Sequence, residues 1–75
     1  MITVRVISKS SGKPIKDKKV ALGIDALLSG GVTHGKRTDS RGEANFDVKP
    51  NYGKVFVSGC TEYQGYLSGT ITVSV

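Results

Sequence analysis

Apolar and polar residues alternate from Ile2 to Ile7, the period of a half-buried strand, which predicts that Ile2, Val4 and Val6 share one face. Ser10, Ser11, Gly12 and Pro14 then crowd the stretch from Ser8 to Pro14, which reads as a turn. Pro14 lacks an amide proton and belongs ahead of a strand or on an edge. Alternation resumes from Lys18 to Ile24, with Val20, Leu22 and Ile24 inward and Lys19, Ala21 and Gly23 outward. Asp25 to Gly31 fits either one helical turn ended by Gly30-Gly31 or an irregular loop whose leucines, Leu27 and Leu28, cover one end of the core.

A third strand is expected over Val32 to Thr38, and Asp39-Ser40-Arg41-Gly42 is the clearest turn in the chain. Aspartate can bond the backbone two residues ahead, and glycine takes the left-handed conformation that hairpin loops of this length need. Glu43 to Val48 alternates again, with Ala44, Phe46 and Val48 inward. Pro50-Asn51-Tyr52-Gly53 reads as a turn, Lys54 to Ser58 as a fifth strand with Val55 and Val57 inward, and Cys60 to Ser68 as a longer connection. The last strand spans Gly69 to Val75, with Ile71, Val73 and Val75 on one face and Thr70, Thr72 and Ser74 on the other. Six or seven short strands at spacings of roughly ten residues, with no sustained helical period, describe a β-sandwich or small barrel. The class is all-β, as one domain over residues 1–75.

The inward set holds about seventeen side chains, each contributing roughly 1.5–3 kcal/mol of gross burial against chain entropy. So small a core predicts added support from a second copy or from flanking domains. Apolar residues at 37% and charged residues at 23% suit a folded chain rather than a disordered one. The longest apolar run is far short of the ~20 residues that cross a bilayer. No basic segment leads into an apolar core and a cleavage site, so no signal peptide is expected. A single cysteine, Cys60, excludes an internal disulfide framework.

Two segments carry a family resemblance. Gly12-Lys13-Pro14-Ile15 followed by Val20-Ala21-Leu22 resembles the opening of transthyretin-like and carboxypeptidase-regulatory-like β-sandwich domains, and Thr38-Asp39-Ser40-Arg41-Gly42-Glu43-Ala44-Asn45-Phe46 resembles their central hairpin. Tyr66 and the alternating end from Thr70 to Val75 fit the same pattern, which also occurs in bacterial immunoglobulin-like surface repeats. The likeness runs from Val4 to Val75, with Lys18 standing where many members have alanine. It implies a small antiparallel β-sandwich of transthyretin-like or immunoglobulin-like type, and a setting outside the cell or on its surface. The shared positions are turn-formers and core residues, so they report a shape. The related hydroxyisourate hydrolases use several histidines and a Tyr-Arg-Gly-Ser tail, whereas this chain has only His34 and ends Thr-Val-Ser-Val. Adhesin domains with an internal Lys–Asn bond need an acceptor that the last strand here lacks.

Candidate chemistry is sparse. Gly30-Gly31-Val32-Thr33-His34-Gly35-Lys36-Arg37 nearly spells a phosphate-binding loop, but Arg37 stands where a hydroxyl must hold magnesium and no helix pattern follows. His34 and Cys60 are the only soft metal ligands, too few for a structural zinc site, so neither a metal nor a cofactor is expected. His34 reads as a surface or half-buried side chain, and Cys60 as a small buried hydrophobe or, less simply, an exposed thiol. One histidine and scattered serines make no nucleophilic triad, and catalysis is not expected.

Eleven Lys and Arg against six Asp and Glu give a net charge of +5. Lys9, Lys13, Lys16, Lys18 and Lys19 form one basic group, and Lys36, Arg37 and Arg41 another. With Tyr52, Tyr63 and Tyr66 in or near loops, these cations fit a nucleic-acid surface that joins phosphate contacts to base stacking. The plainer reading, and the preferred one, is the lysine guard that keeps strand edges from pairing. Phe56 is expected to point away from the core, and with Leu27 and Leu28 it forms either a candidate interaction patch for a protein partner or a second copy, or a sheet face that the 25–31 loop covers, the two readings standing even. The function expected is a non-catalytic protein-interaction or structural module, one domain of a surface or multidomain protein. The alternative is a small basic nucleic-acid-binding domain. Whether lysines and tyrosines share one face decides between them.

Overall fold

The computed structural model describes residues 1–24 and 32–75. Seven strands are formed in them: β1 (Ile2–Ile7), β2 (Lys19–Ile24), β3 (Lys36–Arg37), β4 (Glu43–Phe46), β5 (Asn51–Val57), β6 (Cys60–Leu67) and β7 (Gly69–Ser74). The chain is all-β, and no helix occurs among the described residues. The strands make two sheets, one in the order β4-β1-β7 and one in the order β3-β2-β5-β6. Every paired neighbour is antiparallel except β1 and β7, which run parallel from Ile2↔Gly69 to Ile7↔Ser74.

Alternation decides which residues meet between the sheets. Ile2, Val4 and Val6 of β1, Ala44 and Phe46 of β4, and Ile71 and Val73 of β7 join Val20, Leu22 and Ile24 of β2 and Val55 and Val57 of β5 in one buried cluster. Val48 and Val75, expected inside, pack against that cluster from partly exposed positions. Leu67, at the end of β6, is fully buried with them.

The parallel pairing of β1 with β7 corrects the expectation of a wholly antiparallel sandwich, since the first and last strands enter their sheet in the same direction. The strand bounds depart from the sequence reading most at three places. Cys60–Ser68 is not a connection: most of it is β6, because Ser58 and Gly59 both take positive φ (51° and 84°) and close a two-residue hairpin onto β5. The turn expected at Pro50 to Gly53 is instead the start of β5, with Pro50 just ahead of the ladder where its missing N–H does no harm. The strand expected over Val32 to Thr38 shrinks to Lys36–Arg37 plus an isolated bridge from Val32 to Gly23. Three steps along β2, from Val20 to Gly23, correspond to four from Val32 to Lys36, so one residue cannot stay in register. Thr33 fills part of the gap: its N–H donates to the Leu22 carbonyl at 2.8 Å and its Oγ1 accepts the Leu22 N–H at 2.9 Å.

The Asp39–Gly42 turn forms as expected. Asp39 Oδ1 accepts the N–H groups of Arg41 at 2.8 Å and Glu43 at 3.0 Å, and Gly42 sits at φ 74°. These two donors, Glu43 first, hold the Asp39 carboxyl below its ordinary value.

Candidate functional site

The outward face of the four-stranded sheet carries the one apolar patch that the sequence singled out and the structure describes. Ala21 of β2 stands opposite Phe56 of β5, and Gly23 stands opposite Lys54. The Phe56 ring leans diagonally across Gly23, with Cε2 3.0 Å from where a Cβ would stand. Gly23 therefore leaves the shelf that half-buries an outward phenylalanine, a pairing that restores apolar cover to a bare strand position. Val32, 59% exposed, borders the same spot through its bridge to Gly23. Lys19, Ala21, Val32, Phe56 and Gly59 together line a shallow depression of about 290 Å³. Leu27 and Leu28, the other two members of the expected patch, lie outside the described residues. Ala21 and Val32 take up part of that place, and the alternation of β2 already marked Ala21 as outward.

The two basic groups, about twenty residues apart in sequence, come together at one end of the molecule. Thr38 is the buried pin that joins them, 2% exposed. Its Oγ1 accepts the Lys18 N–H at 2.9 Å and donates to the Ile15 carbonyl at 2.6 Å, and its N–H donates to the Lys18 carbonyl at 2.9 Å. Arg37 adds a bond from Nη1 to the Asp17 carbonyl at 2.9 Å. Gly42, beside Arg41, is pressed against Pro14 and Ile15, which draws Lys13 and Lys16 to the same end. Lys13, Lys16, Lys19, Lys36, Arg37 and Arg41 are exposed and Lys18 is half-buried. Lys19 and Arg37 are directly opposite in the ladder, a repulsive placement. It is eased because Arg37 turns to Asp17 while the Lys19 stem lies across Gly35. Lys36 reaches the opposite way, its Nζ 5.7 Å from the centre of the Phe46 ring.

The tyrosines are elsewhere. Tyr52 and Tyr66 are cross-strand partners at the far end of β5 and β6, 62% and 50% exposed, with ring centres 5.0 Å apart in an edge-to-face contact. Tyr52 lies six residue steps before Ser58, whose N–H bonds the Lys19 carbonyl, a distance of about 20 Å along the strand. Tyr63 turns inward, packs on the core and donates its hydroxyl to the Tyr66 carbonyl at 3.2 Å. The two basic groups are therefore set apart from the exposed tyrosine pair, which has Lys54 beside it.

Cys60 is exposed at the start of β6 and not buried as the simpler reading of the sequence has it, and His34 is exposed as well. Among the described residues no three of His, Cys, Asp and Glu come together as metal ligands would. Among the described residues there is no helix long and apolar enough to cross a membrane. Comparison of the chain with models of known families, with curated proteins and with solved structures finds no match.

Proposed function

We propose that this chain is a non-catalytic protein-interaction module, a domain of the transthyretin-like or immunoglobulin-like β-sandwich type. It holds an acidic segment of a partner protein against the Phe56 face. The observation that carries this reading is the depression over Ala21, Val32 and Phe56, an apolar seat on the outward face of the sheet. Its border supplies the charge: Lys19 lines it, Arg37 is opposite Lys19, and Lys54 adjoins Phe56 on β5. A partner residue of apolar character flanked by carboxylates matches both features. The setting, as one domain of a surface or multidomain protein, is part of the same proposal and rests on the resemblance described above.

The gathered cations favour a second reading, in which residues 13–19 and 36–41 hold the phosphates of a single-stranded nucleic acid. The 20 Å separation of Tyr52 and Tyr66 from that end weighs against it, since stacking and phosphate contacts must follow the same strand.

Titration of isotopically labelled protein distinguishes the two. The probes are an Asp/Glu-rich peptide with one central phenylalanine and a single-stranded oligothymidylate of similar charge. The module reading expects the peptide to shift the amides of residues 19–23 and 54–59, with F56S weakening binding about tenfold or more. Shifts confined to residues 13–19 and 36–41, produced by the oligonucleotide and steeply lost with salt, would replace it by the nucleic-acid reading.

A further inference from the structure

The free side of β7 is a second surface, on the other sheet. Among the described residues β7 ends its sheet, with β1 as its one ladder partner. Just beyond the strand, Val75 donates its N–H to the Ile7 carbonyl at 3.0 Å and accepts the Lys9 N–H at 2.8 Å. The N–H and C=O of one strand residue point to the same side, and the side alternates along the chain. Ile71 and Val73 therefore face β1 as Val75 does, while Thr70, Thr72 and Ser74 turn their backbone groups to the open edge. Such a row of donors and acceptors is a template for another strand unless lysine, proline or a bulge blocks it. Gly69–Ser74 has no charged residue and no proline, and its pairing with β1 runs without interruption.

The edge is also self-complementary. About Thr72 the sequence Thr70-Ile71-Thr72-Val73-Ser74 reads alike in both directions, hydroxyl and apolar residues alternating. We propose that β7 is a self-association edge, at which two copies of this chain pair their β7 strands antiparallel about a twofold axis through Thr72. Thr72 then exchanges both backbone bonds with Thr72 of the second copy, and Thr70 with Ser74. These are the residues whose groups have no partner among the described residues, so no ladder bond to β1 is broken. Ile71 comes opposite Val73 on the core side, and the hydroxyl residues meet on the outer side, both favourable cross-strand pairs. The two three-stranded sheets become one continuous sheet, closed by symmetry.

The occupant is a second copy because this register satisfies both edges at once and brings no like charges into contact. Arg5, in register with Thr72 on β1, is the nearest fixed cation on that face. Its counterpart would stand three strand spacings away, about 14 Å, beyond the ~8 Å screening length at physiological salt. The surface is distinct from the Phe56 face, so either proposal stands if the other fails.

Light-scattering mass across about 10 μM to 1 mM, a span in which weak interfaces associate, tests the pairing. The single chain weighs 7.9 kDa, and the mass should double with concentration. T72K places a charge on the edge, and T72P removes an N–H that points away from β1. T72K, and T72P if it folds, should keep the monomer mass throughout, while F56S doubles as the unaltered chain does. A mass that stays at one chain over the whole range overturns the proposal. So does a dimer that survives in folded T72K, or a mass that climbs past the dimer.

Discussion

Along one flank the two sheets end in β3 and β4, which touch each other; along the opposite flank they end in β6 and β7. The first flank is short and charged. β3 is two residues long and both are cations, β4 is four residues with Glu43 at its head, and Lys36 bridges the sheets by lying over Phe46. The second flank is long and nearly neutral: β6 has eight residues and a single charge, Glu62, and β7 has six residues and none. Edge strands with free backbone groups invite pairing, and short, charged edges discourage it. One flank is therefore closed to further strands by its own chemistry, and the other is left open. A protein of net charge +5 that places cations on the edge strands of one flank and none on those of the other has a polarity of association built into its fold.

Two glycines sharpen the contrast most. Gly42, in the turn between β3 and β4, has φ 74°, and a Cβ there would stand 2.6 Å from the Val6 carbonyl oxygen and 3.0 Å from Pro14. Gly69, opening β7, has φ 56° with nothing within 4 Å of such a Cβ. Gly42→Ala should lower stability to urea by about 3 kcal/mol, from backbone strain plus collision, and Gly69→Ala by about 1 kcal/mol, from strain alone. Equal losses would show that the two turns are equally confined.

Thr38→Val comes next. It leaves the Lys18 N–H and the Ile15 carbonyl without their hydroxyl partner at the point where the basic segments are pinned, and should cost about 2 kcal/mol. A loss under about 0.5 kcal/mol would mean that water replaces the hydroxyl. Lys36→Ala, which removes the contact with Phe46, should cost about 0.5–1 kcal/mol on the guarded flank. Thr72→Lys on the open flank should change monomer stability by less than that, since Thr72 is exposed.

The smallest effect is on pH dependence. The folded Asp39 carboxyl is held below its ordinary value of 3.8 by the Glu43 and Arg41 N–H groups, so its stabilisation is present above the unfolded value and lost as pH falls through the folded one. Asp39→Ala should therefore flatten the acid limb of the stability curve below about pH 4 while leaving its neutral shape unchanged. An acid limb identical in both proteins would remove Asp39 from the account.

Much of this molecule was legible because period-two alternation writes burial directly into a strand. Ile2, Val4 and Val6, or Ile71 and Val73, declare their faces without help from the rest of the chain, and Asp39 and Gly42 declare their turn. The hairpin at Ser58-Gly59 was harder to see: it places a non-glycine residue at positive φ, and Gly65 thins the apolar pattern of β6. The short β3 was illegible for another reason, since the extra residue between Val32 and Lys36 is visible only against β2. Of the candidate surfaces, the outward setting of Phe56 follows from its neighbours Val55 and Val57. The gathering of the basic segments depends on Thr38, which nothing in the sequence marks as buried. The parallel pairing of the first and last strands, which leaves Thr72 at an open edge, is a property of topology and has no local signature.

Residue-resolved amide exchange in β7, at about 20 μM and about 1 mM protein, tests the open edge most directly. The account predicts protected amides at Ile71, Val73 and Val75 under both conditions, and at Thr70, Thr72 and Ser74 fast exchange when dilute that slows about tenfold when concentrated. Rates at Thr70, Thr72 and Ser74 that do not depend on concentration, or protection already present when dilute, would contradict it.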